Sequence, residues 1–207
     1  MVLSATSADR ESSRRFSAMT KNAVIDIDNT LWQFCDVFYL ELKKINSAIP
    51  PVEQWTTFDF WQQYCSEKEF MAAINAIHQD QDSDRCQPYP ESRDFLLSLK
   101  EHGYHVIIAS HRLEETRKPT ERWLARHKLP CDELHLSFDK TVLFKQAAVV
   151  VDDSPQTLEK AVAGCAIGAG LLFPWNRSSA GNGIGLFHDL HEVLQYILKP
   201  RSGSPCP

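Results

Sequence analysis

Two aspartates separated by one residue follow a short apolar run near the start of the chain. The run, residues 23–27, has the composition of a strand, and Asp26 and Asp28 lie at its end. A carboxylate in such a place can attack phosphorus and form an aspartyl-phosphate. A second carboxylate can protonate the leaving oxygen and then activate water. The pair therefore has the groups that phosphoryl transfer through a covalent intermediate needs.

Three other polar residues close two further apolar runs. Asp152 and Asp153 end the continuous run 147–151, and Ser110 ends another. Two acids and a later acid pair form a hard, oxygen-rich site that suits Mg²⁺, which would screen the repulsion between Asp26 and an anionic substrate. The Ser110 hydroxyl and the backbone N–H groups after it can bind phosphoryl oxygens. A lysine should approach both Asp26 and the phosphate.

Short apolar strands alternate with helical patterns along most of the chain. This alternation predicts an α/β fold with a parallel sheet and right-handed crossovers. Ligands of such sheets bind beyond the carboxyl ends of the strands, so the three polar groups should meet at one edge. The predicted strands are residues 23–27, 104–109, 134–136, 147–151 and 167–173, and the predicted helices are residues 91–102, 113–127, 186–198 and one that opens at Pro155.

One long segment interrupts the alternation. Residues 33–88 are rich in aromatic side chains and predict a mostly helical insert between the first strand and the rest of the sheet. The predicted organisation is a disordered tail over residues 1–20, an α/β core over 21–32 and 89–198, the insert over 33–88 and a flexible tail over 199–207.

The composition is that of an ordinary globular protein and limits its partners. The 207 residues have a formal net charge of -5, which argues against a broad basic surface for duplex nucleic acid. No apolar run reaches about 18 residues, so no transmembrane helix and no membrane partner are expected. The N-terminal residues lack the apolar h-region of a secretory signal, so we expect none, and the six cysteines form no CxxC pair. We expect free thiols, a cytoplasmic location and a small phosphorylated substrate; the oligomeric state stays open.

Three segments resemble the motifs of one family of phosphatases. AVIDIDNTLW, VIIASHR and VVVDDSP are similar to the first, second and fourth motifs of the haloacid dehalogenase-like (HAD) superfamily, and the resemblance spans about residues 22–175. It implies a Rossmann-like, three-layer fold with Mg²⁺ as cofactor. It also implies that the insert after the first strand is a small helical cap of the C1 type, which closes over the leaving group and excludes water.

The resemblance also implies a role for each polar residue at the strand ends. Asp26 would be the nucleophile and a metal ligand, and Asp28 the general acid and base, with its backbone carbonyl on the metal. Ser110 would bind the phosphoryl oxygens. Asp152 and Asp153 would complete the metal site. The presence of Asp28 favours a phosphatase over a dehalogenase, because the dehalogenase branch lacks this second acid.

The third motif of the family is a lysine, for which the sequence offers three candidates. Lys140 lies in FDKTVLFKQAAVVVDD, which is similar to a segment of the 5'(3')-deoxyribonucleotidases. Lys118 opens a predicted helix eight residues after Ser110, and Lys145 is the third option. We favour Lys140 over Lys118. The alternative for each is a solvated surface lysine.

Aromatic residues of the insert are candidates for substrate binding, because the deoxyribonucleotidase-like group stacks such residues on a base. The alternative is that they form the core of the cap. The candidates are Trp32, Phe34, Phe38, Trp55 and Trp61.

The residues after two of the motifs depart from the deoxyribonucleotidase pattern. Ser154 follows the acid pair, where that group usually has Arg, and His111 and Arg112 follow Ser110, where Pro is common. The latter run is similar to that of polynucleotide-phosphatase-like members. Arg112 can pair with a substrate phosphate or with Glu114 or Glu115. His111 lies beside the predicted cleft and stays a substrate-binding candidate without a defined role.

Our leading hypothesis is a Mg²⁺-dependent phosphomonoester hydrolase that acts on a small phosphorylated metabolite, with a nucleoside monophosphate as one candidate. The alternatives are a HAD-type phosphomutase, a polynucleotide 3'-phosphatase-like enzyme and a catalytically silent binding protein on the same fold. A phospho-receiver domain also uses acids, Mg²⁺, Ser or Thr and Lys. The order of the acids argues against it, because receivers place adjacent acids at the first strand.

Overall fold

The computed structural model describes residues 21–200, and their sheet contains six strands, all parallel. The strands are β1 (Lys21–Ile25), β2 (Tyr104–Ser110), β3 (Glu133–Leu136), β4 (Ala147–Val151), β5 (Ile167–Leu171) and β6 (Ile184–Phe187). They lie in the order β3-β2-β1-β4-β5-β6. The predicted α/β fold class with a parallel sheet is confirmed.

Helices cover both faces of this sheet. They are α1 (Phe34–Ile45), α2 (Glu67–Gln79), α3 (Ser92–Glu101), α4 (Arg117–Arg126), α5 (Pro155–Ala163) and α6 (Leu190–Leu198). Successive side chains of a strand point to opposite faces, so Ile25 and Val151 join the buried cluster that contains residues of α3 and α6. Val24 and Val150 join the cluster on the α5 side. The two clusters give the three layers.

The direction of the strand order reverses between β1 and β4. The chain runs from β1 outward to β2 and β3, and then crosses back to place β4 on the other side of β1. The pairing continues one residue beyond β1, because the Asp26 N–H donates to the Val151 carbonyl at 2.8 Å. Such a reversal leaves a crevice at the carboxyl ends of the two strands, where ligands of open α/β sheets bind.

The segment between β1 and α3 is helical. It consists of α1, two short 3₁₀ turns and α2. Helix α2 starts at a capping box, in which Ser66 accepts a hydrogen bond from the Glu69 N–H and the Glu69 side chain accepts one from the Ser66 N–H. Phe38 and Leu42 of α1 belong to the same buried cluster as the α3 face of the sheet, so the segment and the sheet share one core.

The first strand lies two residues earlier than predicted and β5 ends two residues earlier, and two predicted helices also differ from the observed ones. The helix predicted over residues 113–127 is a 3₁₀ turn, Glu114–Thr116, followed by α4. The helix predicted over residues 186–198 is wrong at its start, since it contains the end of β6 and begins only at Leu190. Asp189 sets that beginning, because its carboxylate accepts the Glu192 N–H at 2.8 Å as an N-cap.

The thiol prediction holds for four cysteines and is wrong for one. Cys35, Cys65, Cys86 and Cys131 are free, whereas Cys165 takes part in a disulfide. The predicted tails lie outside the described residues, apart from residues 199 and 200. Among residues 21–200, no helix combines the length and the apolar character that crossing a membrane requires.

Gly170 of β5 provides a stability test of the seam beside β4. A Cβ at this residue would lie 2.1 Å from the Asp152 carbonyl oxygen, whereas one at Gly164 would meet nothing nearer than 3.4 Å. We expect Gly170→Ala to lower the free energy of unfolding by about 1–3 kcal/mol through overpacking. Gly164→Ala is the matched control and should leave it nearly unchanged. Denaturant unfolding measures both, and equal stability of the two variants would contradict the close approach.

Candidate active site

A buried lysine joins the ends of β1 and β4. Lys140 precedes the 3₁₀ turn Thr141–Gln146 and is only 3% exposed. Its Nζ contacts an Asp26 carboxylate oxygen and lies 2.8 Å from Asp152 Oδ2. The other oxygen of Asp152 accepts the Ser154 N–H at 2.8 Å. The three side chains thus form a buried ion bridge with little freedom to turn.

Asp153 is held by an amide rather than by a cation. Asn29 Nδ2 donates to Asp153 Oδ2 at 3.0 Å, and Asn29 Oδ1 accepts the Cys35 N–H at 2.9 Å. Asn29 has φ +57°, a left-handed conformation that Asn tolerates better than most residues. A second asparagine, Asn176, donates to the Asp153 backbone carbonyl at 3.1 Å. The backbone and the side chain of Asp153 are therefore both fixed.

Three buried carboxylates lie together around this site, and the ammonium of Lys140 contacts two of them, Asp26 and Asp152. Carboxylate oxygens of Asp26, Asp152 and Asp153 all lie within 4.8 Å of one another. Burial raises the pKa of Asp26 to about 7, and the charges of Asp152 and Asp28 add to this while Lys140 opposes it. Burial and the charges of Asp152 and Asp26 also raise the pKa of Asp153 well above its ordinary value. The cluster has an excess of negative charge.

The donor set fits a hard cation such as Mg²⁺. It consists of carboxylate oxygens only, and a cation would offset the repulsion that adds to the effect of burial on the pKa values of Asp26 and Asp153. Asp26, Asp152 and Asp153 would hold it. The Asp28 carboxylate is not part of this group of three. The sequence assigned Asp28 to the metal through its backbone carbonyl, and that assignment stays a prediction.

The Asp28 carboxylate is engaged by side chains from several parts of the chain. Arg112 donates from its terminal nitrogen to Oδ1 at 2.6 Å and from Nε to Oδ2 at 3.3 Å. His78 Nε2 lies 3.0 Å from Oδ2, and Trp32 Nε1 donates to Oδ1 at 2.9 Å. Burial would raise the pKa of Asp28, but the charge of Arg112 and the contacts with Arg112 and His78 hold it well below the ordinary range.

Arg112 and Trp32 lie in the core, and not at the substrate-binding positions that the sequence suggests for them. Arg112 is 1% exposed and pairs with Asp28, not with Glu114 or Glu115. Trp32 is equally buried and packs against Trp123. Neither side chain is among the residues that line the cavity above the carboxylates. Their assignment to substrate binding is therefore corrected: both contact Asp28 from within the core.

A cavity of about 370 Å³ opens above the carboxylates. Ser110 and His111 line it from the core, beside Asp26 and Asp28. Its remaining wall is largely aromatic, and the aromatic residues are Phe34, Phe38, Trp55, Phe58, Phe60, Phe70, Phe138 and Trp175. Of the aromatic candidates, Trp61 is not among the lining residues and stacks on Phe70 instead.

The alternative lysines lie away from this cavity. Within residues 21–200, neither Lys118 nor Lys145 lines it, and both are exposed. Lys118 is on α4, which buries Thr120 toward Arg112. Residues two positions apart on a helix point about 200° apart, so Lys118 faces solvent. The structure brings Lys140, and not these two, to the carboxylates.

Several residues of the site were missed by the sequence analysis. Asn29 follows the first two aspartates directly, and its tolerance of a left-handed conformation was a usable signal. His78 and Gln81, which reach Asp28 and Arg112 from the far end of the insert, carried none. Asn176 lies after β5 and was likewise without a local signal.

No protein-family model matches the sequence, and no curated protein matches it. Solved structures match its fold. A predicted phosphoglycolate phosphatase from Haemophilus somnus 129pt has a TM-score of 0.57 and 17% identity, over 87% of this chain and 99% of that one. A HAD-superfamily hydrolase from Ehrlichia chaffeensis has a TM-score of 0.53 and 16% identity, over 87% of this chain and 98% of that one. A putative beta-phosphoglucomutase from Thermotoga maritima has a TM-score of 0.53 and 14% identity, over 86% of this chain and 98% of that one. The chain shares its α/β fold with these proteins.

Replacing Lys140 tests the ion bridge at the floor of this cavity. Lys140→Met leaves two buried carboxylates without a cation, and we expect a loss of about 3–5 kcal/mol in the free energy of unfolding. Lys145→Met, a matched change at an exposed lysine, should cost far less. The deficit should shrink as the pH falls, because loss of Lys140, whose charge lowers the pKa of Asp26, raises that pKa above its wild-type value of about 7, and the Asp26 carboxyl then binds a proton in the folded state. Unfolding curves at several pH values measure this, and a pH-independent deficit would contradict it.

Addition of Mg²⁺ tests the carboxylate cluster independently of activity. A ligand that binds only the folded chain raises its stability. We expect Mg²⁺ to raise the melting temperature of the wild type and EDTA to reverse the effect. Asp153→Asn should weaken the response, whereas Asp94→Asn, at an exposed aspartate of α3, should keep it. An unchanged response in Asp153→Asn would show that the cation binds elsewhere.

Proposed function

We propose that this protein is a Mg²⁺-dependent phosphomonoester hydrolase that uses Asp26 as its nucleophile. The observation that supports this most strongly is the cluster of Asp26, Asp152, Asp153 and Lys140 at the floor of a cavity, at the point where the strand order reverses. The solved phosphatases of the same fold support it as well, as does the resemblance of the sequence motifs.

The reaction would proceed in two displacements at phosphorus. An Asp26 carboxylate oxygen attacks phosphorus, the bond to the leaving oxygen breaks, and that oxygen takes a proton from solvent water as an aspartyl-phosphate forms. A second water then attacks this phosphorus and gives a proton to Asp28, the bond between phosphorus and the Asp26 oxygen breaks, and phosphate leaves. Asp28 then returns its proton to the solvent. Mg²⁺ held by Asp26, Asp152 and Asp153 would screen the charge between nucleophile and substrate. Lys140 orients the Asp26 carboxylate.

Asp28 and Ser110 would act on the two sides of the phosphoryl group. The contacts that lower the pKa of Asp28 keep it ionised, which suits the base that receives the proton of water. As the acid for the leaving oxygen, Asp28 would need a proton, and its contacts with Arg112 and His78 oppose this. The Ser110 hydroxyl, which lines the cavity, would donate to a phosphoryl oxygen.

The wall of the cavity favours a small substrate with one phosphate and a planar leaving group. Among the lining residues that the structure describes, Lys140 is the one lysine or arginine, and its ammonium already pairs with Asp26 and Asp152. A second phosphate would therefore lack a cation. Phe34, Phe38 and the other aromatic residues offer stacking surfaces, so a nucleoside monophosphate fits this wall, and His111 would lie at its edge.

Residues 33–88 would be the cap over this site, with residues 21–32 and 89–198 as the core. Side chains of α1 and α2 form one wall of the cavity, which supports a role in excluding water from the leaving group. The cytoplasmic location remains a prediction.

A panel of phosphate esters tests the proposed function. We expect phosphate release from nucleoside monophosphates with Mg²⁺ and none with EDTA. Asp26→Asn should reduce the rate by at least about a thousandfold, because it removes the nucleophile. Asp94→Asn on α3 should keep wild-type activity. Sugar phosphates and a 3'-phosphorylated oligonucleotide complete the panel.

The products separate the alternatives. Transfer of phosphate to a second substrate hydroxyl, without release, would identify a phosphomutase. Preference for the oligonucleotide would identify a polynucleotide 3'-phosphatase-like enzyme. No turnover of any ester would leave the silent binding protein as the better description and overturn the hydrolase.

A further inference from the structure

The end of α2 and the turn that follows it act on the Asp28 carboxylate in two ways, one by direct contact and one through Arg112. His78, near the C-terminal end of α2, lies directly against it, with 3.0 Å between Nε2 and Oδ2. Gln81, three residues further along, accepts a hydrogen bond at 3.1 Å from the same Arg112 terminal nitrogen that donates to Asp28. Both side chains are buried. Two residues of the insert thus share one target in the core.

The guanidinium of Arg112 contacts protein side chains and does not reach the cavity in which a substrate would bind. Its guanidinium donates to Asp28, to Ser110 Oγ at 3.2 Å, to Thr120 Oγ1 at 3.0 Å and to Gln81. These acceptors engage each of its three nitrogens. Because it is buried and does not line the cavity, it acts on the reaction through Asp28.

We propose that Gln81 and His78 are positioning residues, which together with Arg112 set the orientation of the Asp28 carboxylate for proton transfer. This inference rests on the proposed function for the part that concerns turnover. It makes the end of α2 part of the catalytic geometry, beyond any role of the insert in covering the substrate. A displacement of about 1 Å in a group that transfers a proton can cost up to about a hundredfold in rate.

The first test is the amide of Gln81. Gln81→Met keeps the length of the side chain and removes the acceptor of Arg112, and Gln79→Met is the matched control at an exposed residue of α2. Both esters pass through the same aspartyl-phosphate, and Asp28 acts as the base when water attacks it. We therefore expect kcat to fall about tenfold in Gln81→Met for an alkyl phosphate and for p-nitrophenyl phosphate alike, with KM within about twofold. Gln79→Met should match the wild type on both.

His78 provides a second variant pair. His78→Phe keeps an aromatic ring against Phe34, whose ring centroid lies 5.7 Å from that of His78. It removes the nitrogen that faces Asp28. We expect it to show the same loss of kcat on both esters, and His78→Gln, which restores a donor, to recover part of it. A rise in KM with kcat unchanged, or no loss of kcat in Gln81→Met and His78→Phe, would overturn the proposal.

A readout without turnover separates this proposal from the proposed function. The indole N–H of Trp32 donates to Asp28 Oδ1 at 2.9 Å, so its NMR resonance, one of five tryptophan indole signals and assigned with Trp32→Phe, reports the position of that carboxylate. We expect Gln81→Met to shift this resonance and Gln79→Met to leave it in place. If the wild type hydrolyses neither ester, the hydrolase is overturned, and the resonance alone decides: an unshifted signal in Gln81→Met overturns the positioning role.

Discussion

A single buried ammonium between two carboxylates determines how the ends of β1 and β4 fit together. The desolvation of an ion is compensated only when its partners are close and well aligned, and Lys140 meets this condition with Asp26 and Asp152. The hydrogen bond from the Asp26 N–H to the Val151 carbonyl holds the same seam from the backbone. Strand pairing and the ion bridge therefore depend on each other, and the third carboxylate, Asp153, can be held so close only because the first two are fixed.

The connection between β3 and β4 delivers this lysine to the seam. The Ser137 N–H donates to the Ser110 carbonyl at 3.1 Å, which continues the edge of the sheet past β3. The Asp139 carboxylate then accepts the Thr141 N–H at 2.9 Å and shapes the turn in which Lys140 lies. A lysine on a flexible loop would lose much side-chain entropy on burial, whereas this backbone already directs the chain toward the site. The same crossover creates the reversal of strand order, so the topology that opens the crevice also supplies its cation.

The parts of the fold that local patterns encode could be predicted from the sequence, and the contacts between distant residues could not. The run that forms β4 is continuous and apolar because both of its faces are buried, and the aspartates after it were correctly placed at a strand end. Strand β6 was not predicted, because its short apolar run merges with the helical pattern that follows it. For Arg112, the sequence offers only neighbours such as Glu114, whereas its partner Asp28 lies 84 residues away. No local sequence pattern marks His78, which is 50 residues along the chain from Asp28.

The two aspartates of the first motif are separated by one residue and yet have opposite electrostatic environments. Burial raises the pKa of Asp26 to about 7, with Lys140 opposing the rise and the charges of Asp152 and Asp28 adding to it. Asp28 faces Arg112 and His78, so its pKa is lowered. Groups whose surroundings separate their pKa values in this way are suited to different roles in one reaction. A cation would bring the nucleophile into its ionised form only when the site is assembled, whereas Asp28 is ionised beforehand because its partners belong to the protein. The insert supplies one of those partners, His78, and supports the other, Arg112, through Gln81. Which group transfers the proton therefore depends on residues outside the sequence motifs that predict it.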